Sequence, residues 1–318
     1  MLSRVADALF WMSRYLERAE QIARLLDVSF HVELDLHGIL GGPHELQWSA
    51  VLFTLQHPSI APAEGETLPA AITRRLTFDL ENPISIMTCV NRARNNARSV
   101  RGSISSDMWR ELNKLYWQLS DPAFRLDVAA SPHDLFQTVQ TGSQLVQGLC
   151  DVTLAHDEGW QFIQLGKYLE RAEKTLRLLD VKHRALSQLP DNSAGLALAN
   201  LQWSAVLQSC LAYEHYQRLY IGRVEAEGVI EFLLTNPEFP HSVRFCLERA
   251  AAALAEISGQ PLDRCDSPSA RLLGRIVNNL QFRDIDDLLE SGLHAFLDQS
   301  LLRCSQAGLA IQRQYALH

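Results

Sequence analysis

The apolar positions of this chain recur with a helical period almost from end to end. On a helical wheel of residues 9–28 one broad arc holds Leu9, Trp11, Met12, Tyr15, Leu16, Arg18, Ala19, Ile22, Ala23, Leu25 and Leu26. The opposite side holds Phe10, Arg14, Glu17, Glu20, Gln21 and Arg24. An apolar arc near half the circumference is wider than a surface helix needs, so this helix is expected to pack on two sides. The same periodicity predicts helices over 45–57, 84–101, 106–120, 132–154, 159–188, 194–222, 225–234, 241–258, 268–281 and 284–314. Breakers fall between them: Gly41–Gly42–Pro43, the loop 57–68, Asp121–Pro122, Ser131–Pro132, Pro190, the stretch 259–261 and Ser267–Pro268. No alternating strand run occurs, so the fold class read from the pattern is all-α.

The pattern also repeats on a larger scale. YLERAE at 15–20 returns at 168–173, and RLLDV at 24–28 returns at 177–181. LQWSAVL at 46–52 returns at 201–207, Asn82–Pro83 as Asn236–Pro237, and Cys89, Arg92 and Ala93 as Cys246, Arg249 and Ala250. Colinear matches with a drifting offset mark a duplication with a few loop insertions. The expected architecture is a helical bundle built from two tandem similar halves, 1–155 and 156–318, either as two units or as one joint bundle.

Composition works mainly by exclusion. Lys and Arg total 29 against 37 Asp and Glu, a formal charge of −8 over 318 residues. A protein that coats nucleic acid gains affinity from excess cations, so no nucleic-acid partner is expected. The cysteines are Cys89, Cys150, Cys210, Cys246, Cys265 and Cys304, too far apart for a local CxxC pair. They read as reduced, buried thiols of a cytoplasmic protein. The N-terminus enters an amphipathic helix with Asp7, Arg14, Glu17 and Arg18, unlike a signal peptide. The uncharged stretch 192–213 carries Asn200, Gln202, Ser204, Gln208 and Ser209 and is too polar for a membrane span.

Candidate chemistry centres on the repeated unit, Ser13–Arg14–YLERAE and Gly166–Lys167–YLERAE. Arg18 and Arg171 lie on apolar arcs, where a guanidinium needs a carboxylate or a ligand anion. Either Glu17, Glu170 and the arginines pair between halves as braces, or the arginines bind an anionic ligand or acidic peptide end. Glu20–Arg24 and Glu173–Arg177 read as ordinary i,i+4 surface pairs. In the segment 91–113, Arg94, Arg98 and Arg101 make one cationic stripe, Arg92 points elsewhere, and Ser105 or Ser106 caps the helix carrying Trp109. The second half keeps Arg249 but has Ala251 to Ala253 in place of the stripe.

The segment from His31 to His37 puts His31 with Asp35 and Glu33 with His37 on shared helix faces, which reads as a solvated helix end. HExxH, Walker, GxGxxG and GxSxG patterns are absent from the sequence, so no metal, cofactor or familiar autonomous enzyme is expected.

The segments YLERAE, LQWSAVL, ENPISI (81–86), NARSVRGSISSDMWRELN (96–113) and DEGWQFIQLGKYLERAE (157–173) together resemble the bacterial Alpha-E family. The resemblance spreads over most of the chain. It implies a helical protein that accompanies, as neighbour or fusion, a circularly permuted ATP-grasp ligase and a transglutaminase-like protein. The implied role is a non-catalytic binding or scaffold subunit of an amide- or peptide-bond-forming system, one that presents an acidic peptide or anionic ligand. Two alternatives stand beside it: a helical enzyme with Glu17 or Glu170 as general base in a pocket between the halves, and a structural homo-oligomer. Arg18, Arg171, Glu17, Glu170, Arg92, Arg94, Arg98, Arg101, Trp109 and Arg249 are the candidate ligand- or partner-binding residues.

Overall fold

The computed structural model describes residues 1–40, 45–124, 132–190, 192–261, 267–281, 288 and 292–317, and among these every regular element is a helix. In chain order they are α1 (Ser3–Leu40), α2 (Glu45–Thr54), α3 (Leu68–Thr77), α4 (Ile86–Ser99), α5 (Ser106–Ser120), α6 (Pro132–Thr153), α7 (Glu158–Leu186), α8 (Ser193–Ser209), α9 (Tyr213–Leu219), α10 (Ala226–Thr235), α11 (Val243–Ser258), α12 (Pro268–Gln281) and α13 (Leu293–Tyr315). The all-α class therefore holds. The expected breaker at Gly41–Pro43 and Cys265 lie outside the described residues.

Two long helices form the axis. α1 packs on α4, α6 and α7; α7 packs on α11, α13 and α1. α5 bridges α4 to α6, and α12 bridges α11 to α13. Apolar side chains from both ends of the chain, Leu9 to Ile311, join one contiguous buried cluster. The α1–α7 crossing is close because Gly166 has no side chain: a methyl there would overlap the Phe10 carbonyl oxygen and the Ser13 hydroxyl.

Side-chain oxygens start many of these helices. Thr67, Ser85, Ser105, Asp157, Asn192 and Ser242 each accept from a backbone N–H in the first turn. The Ser105 expectation is thus met. Gly259 ends α11 in the left-handed conformation, which a residue without a Cβ adopts freely.

Several expectations change. α1 starts six residues before the predicted wheel, and its "polar" side is interior too: Phe10 and Glu17 are 0 % exposed, and Arg14, Glu20 and Arg24 are buried. A helix enclosed all round has to bring its own charges inside. Glu20–Arg24 is accordingly a buried pair and not a surface one, with Arg24 Nε donating to Glu20 Oε1 at 3.1 Å. Burial pushes the Glu20 carboxyl up, partly opposed by Arg24. Glu173 does not close a simple pair with Arg177; its carboxylate takes Arg14 from α1 at 2.9 Å. The predicted helix 194–222 is two helices, broken at Cys210–Ala212 where Leu211 sits at φ 54°. The sequence pattern missed α3, and of the predicted helix 284–314 the part from Leu293 is seen as α13, residues 284–287 and 289–291 lying outside the described residues. Among the described residues no helix is long and apolar enough to cross a membrane.

Candidate functional site

The two copies of YLERAE face each other across the α1–α7 contact. Arg171 grips Glu17 with its fork, Nε to Oε1 at 2.6 Å and a terminal nitrogen to Oε2 at 2.8 Å. Arg18 grips Glu170 in the same way, at 2.6 and 2.9 Å. Each Glu–Arg dipeptide thus supplies the acid to one pair and the base to the other. Glu17 also accepts from Gln21 (2.6 Å) and Gln147 (3.1 Å), and Glu170 accepts from Arg14 Nε (2.9 Å). Bidentate, charge-assisted geometry of this kind is what makes a buried ion pair tolerable. Burial pushes the Glu170 carboxyl up, but the guanidinium groups of Arg18 and Arg14 outweigh it and hold it well below the usual range. Arg14, Glu173 and Gln147, absent from the sequence candidates, belong to this cluster.

Aromatic rings back the arginines. Arg18 and Arg92 lie over Tyr15 at 5.7 and 5.5 Å, and Arg171 lies over Tyr168 at 5.7 Å. Arg249 lies 5.0 Å over Phe245, which meets Tyr168 edge to face at 5.9 Å. Arg92 and Arg249 are exposed and extend these stacks to the surface.

The arginine stripe is a different environment. Arg94 donates to the Asn113 carboxamide oxygen at 2.8 Å and lies 4.4 Å over the Tyr116 ring, with Trp109 and Trp117 each at 5.7 Å. Arg101, just past the end of α4, lies 5.0 Å over Trp109. Arg98 and Arg101 are exposed, and Trp117 is 59 % exposed. The α4–α5 face therefore presents the Arg94 and Arg101 guanidinium groups stacked on aromatic rings, with Arg94 bonded to a neutral carboxamide. It keeps the cationic and apolar contact capacity that the buried Glu–Arg pairs have spent on each other.

The repeated RLLDV segments carry a second pair of braces. His133 Nδ1 lies 2.7 Å from Asp27, and His294 Nδ1 lies 2.6 Å from Asp180. Each histidine is the second residue of its helix, α6 or α13, so each pins that helix to α1 or α7. His31 faces Asp27 and His133, and not Asp35 as the helix spacing suggested. Asp27, His31 and His133 are near enough together to hold a metal ion, as are Asp180, His294 and Asp298. In the second group the Arg184 guanidinium already sits 2.9 Å from Asp180, which opposes a cation. No sequence signal pointed to the histidines, because they come from other helices at an unrelated offset.

The chain belongs to the Alpha-E family: the family's model, a predicted alpha-helical domain with a conserved ER motif, matches residues 1–316. It is 28 % identical over 320 residues, 92 % of this chain, to an uncharacterized protein of Mycobacterium bovis. Two uncharacterized proteins of Mycobacterium tuberculosis strains match at the same identity and coverage. The chain spans 35 % of the length of these curated relatives. No solved structure matches it.

Proposed function

We propose that this chain is a cytoplasmic, non-catalytic binding subunit of an amide- or peptide-bond-forming system. Its partner would be a circularly permuted ATP-grasp ligase, with a transglutaminase-like protein as a further companion. The observation that carries the reading is the contrast between its two sets of arginines. Arg18 and Arg171 are locked to buried carboxylates, whereas Arg94, Arg98 and Arg101 stand with Trp109 and Trp117 on an accessible face. Arg and Trp are the residue types that dominate binding hot spots, and a guanidinium backed by a ring is well placed to take an acidic partner surface or peptide end. That the mycobacterial relatives are much longer than this chain fits a module working beside other domains. In this reading the two halves, 1–155 and 156–318, are copies of one helical unit related by a pseudo-twofold through the reciprocal Glu–Arg pairs, and only the first copy carries the docking stripe.

An enzyme using Glu17 or Glu170 as general base needs a carboxylate open to substrate, and in the interior Glu17 accepts two guanidinium hydrogen bonds and Glu170 three. The test is co-purification of the full chain with a circularly permuted ATP-grasp ligase from the same organism. The reading predicts a complex at micromolar concentration that weakens as salt rises. Failure to co-purify removes it, and sedimentation of the isolated chain as a stable homo-oligomer would favour the structural alternative.

A further inference from the structure

Among the described residues, a lysine near the end of α7 is buried without a countercharge. Lys182 is 5 % exposed, and its ammonium donates to the carboxamide oxygens of Gln202 at 2.6 Å and Gln47 at 3.2 Å. Those glutamines occupy matching places in the two LQWSAVL segments, on α2 and α8. An ammonium carries three donors, and the two carboxamides take two of them. Among the described residues no carboxylate pairs with Lys182, and burial alone lowers it to about 8. A buried cation held only by neutral oxygens is a standing cost to the fold.

Lys182, Gln47 and Gln202 line a cleft of about 500 Å³, with Phe53, Leu186, Leu189 and Leu198 among its apolar walls; a second cation on its lining, Arg184, is already paired with Asp180 at 2.9 Å. Pockets for small molecules run about 300–1,000 Å³ and pair apolar walls with a few convergent polar groups. Phe53 is 67 % exposed on this wall, an unusual place for a large ring. We propose that this cleft binds a small carboxylate with an apolar tail or ring, its carboxylate seated on Lys182 and its apolar part against Phe53 and the leucines. The site shares no residue with the α4–α5 face and stands or falls independently of the ligase reading.

The test is isothermal titration of the full chain with decanoate, and with decanol as the uncharged control, below their aggregation limits. The proposal expects one decanoate site per chain and binding of decanol at least about tenfold weaker. Lys182→Met should bring decanoate down to the decanol level. Leu198→Trp, which fills the cleft and leaves Lys182 in place, should weaken both ligands. Equal affinity for the two ligands, or undiminished decanoate binding in either variant with native circular dichroism, would overturn the proposal, as would no binding at all.

Discussion

Removing one member of the Glu17–Arg171 pair tests the bracing argument at its strongest point. Glu17 is 0 % exposed and accepts four donors, two from Arg171 and one each from Gln21 and Gln147. In Arg171→Leu two amide donors remain, but the buried carboxylate loses its countercharge and the Pro240 carbonyl loses a donor at 3.2 Å. In Glu17→Leu the guanidinium is stranded with only the Pro240 and Gln147 oxygens. Breaking a buried pair from one side costs about 3–5 kcal/mol, whereas replacing both partners with apolar groups of similar volume is often near neutral. Each single variant should therefore lose about 3–5 kcal/mol, and the double variant Glu17→Leu/Arg171→Leu should lose clearly less than the sum. The coupling, about 3 kcal/mol or more, is read from urea unfolding of the three variants and wild type by far-ultraviolet circular dichroism. Single losses below about 1 kcal/mol, or strict additivity, would refute the claim that these pairs brace the fold.

The other expectations are narrower. Because the folded Glu170 carboxyl titrates below its usual 4.5, the stability it lends is present above about pH 4.5 and is lost as pH falls toward the folded value. Glu170→Gln should flatten the fall of the urea midpoint between about pH 5 and 3, and an unchanged slope contradicts this. Gly166→Ala should cost about 1–3 kcal/mol through overlap at the α1–α7 crossing, seen as a lower melting temperature; an unchanged melt would mean the helices separate freely there. Lys182 has a folded value near 8 against 10.5 unfolded, so its charged form disfavours folding below about pH 8 and the burden disappears as pH rises through 10.5. Lys182→Met should then gain about 1–2 kcal/mol at pH 7, net of the carboxamide oxygens left unpaired, and the gain should turn into a loss of about 1–2 kcal/mol near pH 11, where only the lost hydrogen bonds count; a loss at pH 7 in chemical denaturation would contradict the cost assigned to the buried ammonium.

Much of the helix order was readable because its punctuation is local. Ser85, Ser105 and Asp157 cap their helices through their own side chains, and helical periodicity marked most bodies between. α3 was missed although Thr67 caps it and Pro69 opens it: it is short, and its buried stripe is only Ala71, Ile72 and Leu76 among the apolar residues. The break at Leu211 left no glycine or proline to announce it. The repeated Glu–Arg motif was plain, yet its pairing depends on how closely α1 and α7 cross, which Gly166 decides in three dimensions. The enclosure of α1 turned a supposed surface pair, Glu20–Arg24, into an interior one. The place of Lys182 is not legible in the sequence because its importance lies in what is near it; the other RLLDV segment is followed by Ser29, bonded to the Leu25 carbonyl at 2.7 Å.

The most direct test of the docking claim is the affinity of the full chain for a circularly permuted ATP-grasp ligase, the class of partner proposed above, measured for wild type and for Arg94→Glu/Arg98→Glu/Arg101→Glu. The account predicts micromolar or tighter binding for wild type and a loss of at least about tenfold in the variant with its helical spectrum intact. Equal affinity for the two, or no binding by the wild-type chain, would contradict it.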